Sequence, residues 1–311
     1  MFVHKCPCCS STNVKKNGFH NGSQLYKCKQ CGRQFVQSLT PSPDSIWNAY
    51  LEGKRTISEL SEKYHISAST VKRLLRKKVL VWHQPILLGS SGYLHLDVTY
   101  WGHNWGVMLG IEASSGRVLY LSFIKHETTQ AYKEALDAIL TAGYGIKGIV
   151  VDGKRELFEV FKAYPIQMCQ FHMLQIVKRH LTLHPKLIAS RELQSLCKTM
   201  TYADAADFIC KYETWKVRWH EFLCKRTIHK NGKSYYLHRR IRTLVKSIDF
   251  YMSYLFTFQR LECVGMPNTN NKIEGVFANL KRCLNNHNGL TSEHRKQFII
   301  AYFQKKWLEQ K

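Results

Sequence analysis

The chain has 311 residues, 44% of them hydrophobic, with 46 Lys and Arg against 22 Asp and Glu and a net charge of +24. That length and apolar content exclude a disordered tail and leave room for two or three domains with their own cores. The cation excess is explained most simply by a polyanionic partner, because Lys and Arg that neutralise phosphates release condensed counterions. The bland alternative is a basic, solvated surface. No apolar run approaches the roughly 20 residues that cross a bilayer. The first residues carry Cys and His instead of the apolar segment of a secretion signal. The expected location is the cytoplasm, in association with the nucleoid and with no membrane partner.

Eleven cysteines, an odd count, do not read as a disulfide framework. Cys6 and Cys9 form one C-x-x-C and Cys28 and Cys31 a second, with a polar segment rich in Gly and Asn between them. This is zinc-ribbon spacing, in which two knuckles present four thiolates to one structural Zn²⁺ and a segment too poor in apolar surface to fold alone folds on the metal. A redox dithiol would need a βαβ unit that does not surround these pairs, and Cys8 is the competitor to Cys9 as ligand. Pro41 and Pro43 then mark a linker. Residues 44–78 carry helical periodicity in three short stretches, with Thr56 and Glu59 as a capping box and Ser67 as a cap for the third. In that third stretch Val71, Leu74 and Leu75 are apolar, while Ser69, Thr70, Lys72, Arg73 and Arg76 can face outward. This resembles a helix-turn-helix whose last helix reaches base edges and phosphates; the competing reading is a basic hairpin that only packs on its neighbour.

Residues 85–92 form the clearest boundary, and the period changes after them. Three strands are predicted over 93–101, 105–112 and 117–125, then a helix over 129–142, a short strand over 149–151, a helix over 155–164 and a strand over 166–169. The order βββαβαβ is that of a ribonuclease-H-like α/β fold. It places Asp97 on the central strand and Asp152 at the carboxyl end of its neighbour, where open α/β sheets hold ligands. Glu274 opens a later helix. Such carboxylates repel one another and are most easily tolerated when hard divalent cations bridge them. Two Mg²⁺ or Mn²⁺ ions roughly 3.5–4 Å apart stabilise the attacking and the leaving oxygen of an in-line phosphoryl displacement. A single strand-end Asp is more often a turn former or a cap; three acids in this order are more specific.

The runs Leu96-Asp97-Val98-Thr99-Tyr100-Trp101, Val150-Val151-Asp152-Gly153, Cys169-Gln170-Phe171-His172 and Thr269-Asn270-Asn271-Lys272-Ile273-Glu274-Gly275 carry a family resemblance. Over residues 93 to about 300 the chain resembles the DDE transposases of bacterial insertion sequences, in particular the Mutator-like superfamily. The resemblance implies that Asp97, Asp152 and Glu274 are the family's three catalytic acids and that Cys169 and His172 are its C-x-x-H element. In such transposases a preceding zinc ribbon and helix-turn-helix are associated with recognition of the element's terminal repeats.

The stretch from Asp152 to Glu274 is far longer than a minimal sheet requires, and 173–265 reads as a helical insertion with few strand signals. Trp215 and Trp219 share a helix face, and core packing is weighed there against stacking on an unpaired base. Arg226, Lys230, Lys233, Arg239, Arg240 and Arg242, interleaved with Tyr235 and Tyr236, read as a surface that tracks DNA backbone, against a solvated face as the alternative. No second Cys/His pair matches Cys169 and His172, which favours positioning of the scissile strand, or packing beside the metals, over zinc ligation. Asn270 or Asn271 is expected to cap the last catalytic helix, Phe277 and Leu280 to seat it, and Lys281 to meet phosphate. The expected domains are a ribbon over 1–40, a helix-turn-helix over 41–84, the core over 85–172, the insertion over 173–265 and the core's terminal helices over 266–311. The expected function is a transposase that cleaves and joins double-stranded DNA, element ends and target, as a homodimer or larger synaptic oligomer, because two ends must be held together for joining. The rivals are a nuclease that cuts without joining and a non-catalytic DNA-binding regulator.

Overall fold

The structure is a computed structural model that describes residues 5–36, 41–52, 55–77, 79–102, 104–228, 232–287 and 290–309. The chain divides into two compact units, residues 1–80 with 283–298 and residues 81–282 with 299–311.

In the first unit, strands β1 (Val14–His20) and β2 (Ser23–Cys28) pair antiparallel, and β3 (Gln34–Val36) adds to β2. The β1–β2 turn is closed by Asn21 and Gly22, both with left-handed backbone. Most of this small sheet is exposed, and its buried side chains are Cys6 beside it and Cys28 within it. Helices α1 (Pro43–Glu52), α2 (Ile57–Tyr64) and α3 (Ala68–Lys77) follow. The capping box forms as the sequence predicts: Glu59 N–H donates to Thr56 Oγ1 and Thr56 N–H to Glu59 Oε2. His65, with φ 52, ends α2, and Ser67 Oγ accepts from the Thr70 amide at the start of α3. Ile46, Tyr50, Leu60, Val71 and Leu74 are buried, and Tyr50 packs against His287 and Phe298 from the end of the chain.

The second unit is built on a five-stranded mixed sheet. Strands β4 (Ser91–Trp101), β5 (Trp105–Glu112) and β6 (Val118–Ile124) are antiparallel; after helix α4 (Thr129–Thr141), β7 (Gly145–Val151) runs parallel to β4. Helix α5 (Arg155–Val160) leads to β8 (Ile166–Met168), parallel to β7. The strand order β6-β5-β4-β7-β8 resembles a ribonuclease-H-like core. Period-two alternation sends Leu94, Leu96, Ile149 and Val151 into a core shared with Tyr132, Ala135, Leu136 and Ile139 of α4. The opposite face carries Tyr93 and Val150, packed with Cys169, Cys263 and Met266. Helix α5 stops at Val160, short of the predicted 164, and residues 161–164 form turns and a bend ahead of Pro165.

The insertion comprises α6 (Gln170–Leu181), α7 (Ile188–Thr199), α8 (Ala205–Arg218), α9 (His220–Cys224), β9 (Arg226–Ile228), β10 (Ser234–Tyr236) and α10 (Arg239–Leu255). The antiparallel pair β9 and β10 corrects the expectation of a wholly helical segment. Thr227, Ile228, Tyr235 and Tyr236 are β-branched or aromatic, a strand preference that the charge of this stretch had hidden. Trp215 is buried and stacked on Tyr212, its indole N–H without a partner among the described residues, and Trp219 donates to Glu192 Oε2. After two short 3₁₀ turns come α11 (Asn271–Asn285) and α12 (Ser292–Glu309). No described helix is long and apolar enough to cross a membrane.

Candidate functional site

The last paired residues of β4 and β7 are His95 and Val150. Asp97 lies two residues further along β4 and Asp152 one residue past the end of β7, so both acids follow the last paired rung, and the charge of Asp152 reaches Asp97. Helix α11 supplies Glu274 in its first turn. Burial pushes the Asp97 carboxyl up to about 7; the Val98 amide it accepts from pulls back, and the charges of Asp152, Glu127 and Glu274 add to the push. Asp97 keeps a small opening to solvent while the strands around it are closely packed. Asp152 Oδ1 accepts from the Lys154 amide, which folds the chain back over the carboxylate.

Glu274 lies 3.7 Å from His172 Nδ1, and both of these buried atoms lack a hydrogen-bond partner among the described residues. His95, only 1% exposed and on the same strand face as Asp97, likewise has neither ring nitrogen satisfied. Burial and then the charge of Lys272 hold it down to about 4, so it is neutral. Carboxylates are hard oxygen donors of the kind that hold divalent cations. Among the described residues the acids are not gathered within the 4.8 Å that brings the four N-terminal thiols together.

Cys169 and Asn270 brace the site. The buried thiol donates to Asn270 Oδ1 at 2.9 Å, and burial pushes it up to about 11, so it stays protonated. This ties the start of α6 to the start of α11, where the Asn270 carbonyl accepts from the Ile273 and Glu274 amides in the residue just before the helix. Gln170, also buried, bonds to Leu255 and Asn268 and locks the exit of the insertion against its entry. Phe277 and Leu280 are buried along α11, whereas Asn271 and Lys281 are exposed. Gly153, after Asp152, has φ 98, and a Cβ there would lie 2.5 Å from Met168 Cε. Gly153→Ala is therefore expected to lower stability by about 1–3 kcal/mol in urea unfolding.

The sequence reading missed Glu127. It receives Lys154 Nζ at 3.1 Å and the Tyr132 hydroxyl at 2.9 Å, and its charge reaches Asp97. It stands just past β6 and before the Thr128 cap of α4, so the rule that singled out the strand-end acids would also have found it.

The four thiols of Cys6, Cys9, Cys28 and Cys31 lie within 4.8 Å of one another. Cys6 and Cys31 are 3.5 Å apart and Cys9 and Cys28 3.6 Å, close to the roughly 3.8 Å edge of a tetrahedron with Zn–S near 2.3 Å. The Cys31 amide, with that of Gln30, draws the Cys28 thiol down to about 6 against its burial. This donor set fits one structural zinc ion, with Cys9 as ligand; Cys8 lies outside the cluster. Each close pair joins the two knuckles, and the surrounding sheet is antiparallel, so no thioredoxin-like dithiol is present here.

On α3, Ser69, Lys72, Arg73 and Arg76 are exposed around a shallow hollow of about 350 Å³, and Thr70 is half-buried against Ser67. In the insertion, Arg226 stacks on Tyr236 and bonds to Ser234, Arg239 lies over Tyr235, and Arg240 donates to the Arg179 carbonyl. Arg242, half-buried between Tyr236 and the Leu223 carbonyl, is a brace first. Lys233 is exposed, and Lys230 lies outside the described residues.

No protein-family model matches the sequence, and no curated protein matches it. Among solved structures, the chain is similar to a chain of the cryo-EM structure of the simian T-cell lymphotropic virus intasome in complex with PP2A regulatory subunit B56 gamma. The identity is 14% and the TM-score 0.22, over 51% of this chain and 69% of that one. A likeness that slight bears on neither fold nor chemistry, which stand on the residues described above.

Proposed function

We propose that the chain is a DNA transposase that cleaves the ends of its mobile element and joins them to target DNA. The observation that carries this reading is that Asp97, largely buried at the centre of the sheet, feels the charges of Asp152, Glu127 and Glu274, the last presented from the first turn of α11. Asp97, Asp152 and Glu274 would hold two Mg²⁺ or Mn²⁺ ions, which when bound supply charge stabilisation for the attacking and leaving oxygens. In cleavage, a water oxygen bonds to the scissile phosphorus as the bond to the 3′ oxygen breaks. In joining, that 3′ oxygen bonds to a target phosphorus and a target 3′ oxygen leaves. Cys169 and Asn270 keep the helices carrying His172 and Glu274 in register, and Lys154 with Glu127 holds the loop after Asp152.

The zinc ribbon and the helix-turn-helix formed by α1, α2 and α3 would recognise the element's terminal repeats, with Ser69, Thr70, Lys72, Arg73 and Arg76 toward the DNA. A synaptic dimer or larger oligomer follows from the need to hold two ends together. The test is incubation of the purified chain with labelled terminal repeats, a target plasmid and Mg²⁺. Recovered insertions are expected; nicks without insertions would favour a nuclease, and binding without cutting a regulator.

A further inference from the structure

Between the C-terminal end of α6, the connection 182–187 and the N-terminal end of α10 lies a cleft of about 500 Å³. His180, His184, Lys186, His238, Arg239 and Arg240 line it, and no Asp or Glu does so among the described residues. Its accessible apolar residues are Leu187, 46% exposed, and Leu237, 55% exposed, while Leu181 and Ile241 belong to the packed core beneath.

The cleft is held in shape. Arg240 ties α10 to the Arg179 carbonyl on α6 at 2.6 Å. Thr182 has φ 67 and ψ 177, a backbone region almost reserved for glycine, and buried Gln194 donates to its carbonyl at 2.8 Å. Such conformations persist where the surroundings over-determine them, and they cluster at ligand sites. Burial, then Arg240 and Arg179, push His180 below its ordinary value; burial, then Lys225, do the same for His238. Both rings are thus neutral near neutral pH and offer flat faces, and His238 already stacks on Phe222.

A basic face that is only solvated has no use for two exposed leucines among its cations, and a duplex, with its bases stacked inside, would leave them uncovered. The volume suits one small ligand with a flat apolar part and an anionic part. We propose that this cleft binds an unpaired nucleotide of a DNA strand, its base against Leu187 and Leu237 and its phosphate among Lys186, Arg239 and Arg240. That the strand is DNA rests on the transposase reading.

The test is fluorescence anisotropy on the full chain with a short fluorescein-labelled oligodeoxythymidylate, other DNA-binding surfaces being saturated with unlabelled duplex. An abasic strand of the same length is expected to bind more weakly on the order of tenfold, because it lacks the base contact. Leu187→Glu, which places a carboxylate in a wall that has none, should weaken the base-bearing strand by a similar factor while melting at the wild-type temperature. Lys186→Ala and Arg239→Ala should weaken both strands alike and flatten the salt dependence. Equal affinity for abasic and base-bearing strands, or unchanged affinity in Leu187→Glu, would overturn the proposal, and tighter binding of the matching RNA would overturn the choice of DNA. Base-dependent strand binding by a protein that cuts no DNA would retire the transposase reading and leave the cleft standing. Cutting without base preference would retire the cleft alone.

Discussion

Asp97→Asn should abolish Mg²⁺-dependent strand cleavage, by a factor on the order of a thousand or more, and should at the same time make the metal-free protein more stable above about pH 7. Both effects come from one carboxyl group. Its ordinary pKa is 3.8, and burial with the neighbouring acids raises it to about 7. Between those values the unfolded chain has released the proton and the folded chain still holds it, so folding loses stability as the pH rises through that window. At about 1.4 kcal/mol per pH unit the loss is on the order of a few kcal/mol. It is complete above about pH 7 and absent below about pH 4. Asparagine has no proton to release, so its melting temperature should exceed wild type at high pH and match it in acid. Mg²⁺ should raise the wild-type melting temperature and leave the variant's nearly unchanged. A variant that cleaves like wild type would remove Asp97 from the active site, and melting curves that coincide at every pH would remove the crowding of acids on which the site is argued.

The second large effect concerns the N-terminal thiols. One zinc per chain is expected by metal analysis of the purified protein, and Cys28→Ser should abolish its retention and unfold the ribbon while the second unit stays protected in hydrogen exchange. The small sheet buries almost nothing but Cys6 and Cys28, so the metal must supply its folding energy, which in zinc-finger peptides is roughly 10–16 kcal/mol. Acid should act in the same direction as the mutation. Zinc is held by thiolates, so protonation of the thiols competes with the metal. Zinc should therefore be held at neutral pH and released on acidification, with specific binding of terminal repeats lost in parallel. A Cys28→Ser chain that keeps its zinc and its amide protection would refute the assignment.

Much of the fold could be read from local pattern. Alternation in 93–101 and 105–112 specifies strands with one face for α4. Thr56, Glu59 and Ser67 announce two helix starts, because a capping side chain needs only its own near neighbours. The two C-x-x-C pairs have a spacing that makes a metal knuckle wherever it occurs. The local pattern also misled at the β9–β10 pair, where cations masked strand residues.

The chain's order of residues thus determined most element types, the two C-x-x-C pairs and which acids stand at strand ends, since each depends on contacts within a few positions. Only the tertiary structure decided which thiols cluster, that the charges of Asp152, Glu127 and Glu274 bear on a largely buried Asp97 and that Glu274 meets His172. The same holds for the cleft, whose walls come from α6 and α10. Burial, shared charge and approach across the fold are properties of distant segments brought together, and no local period encodes them.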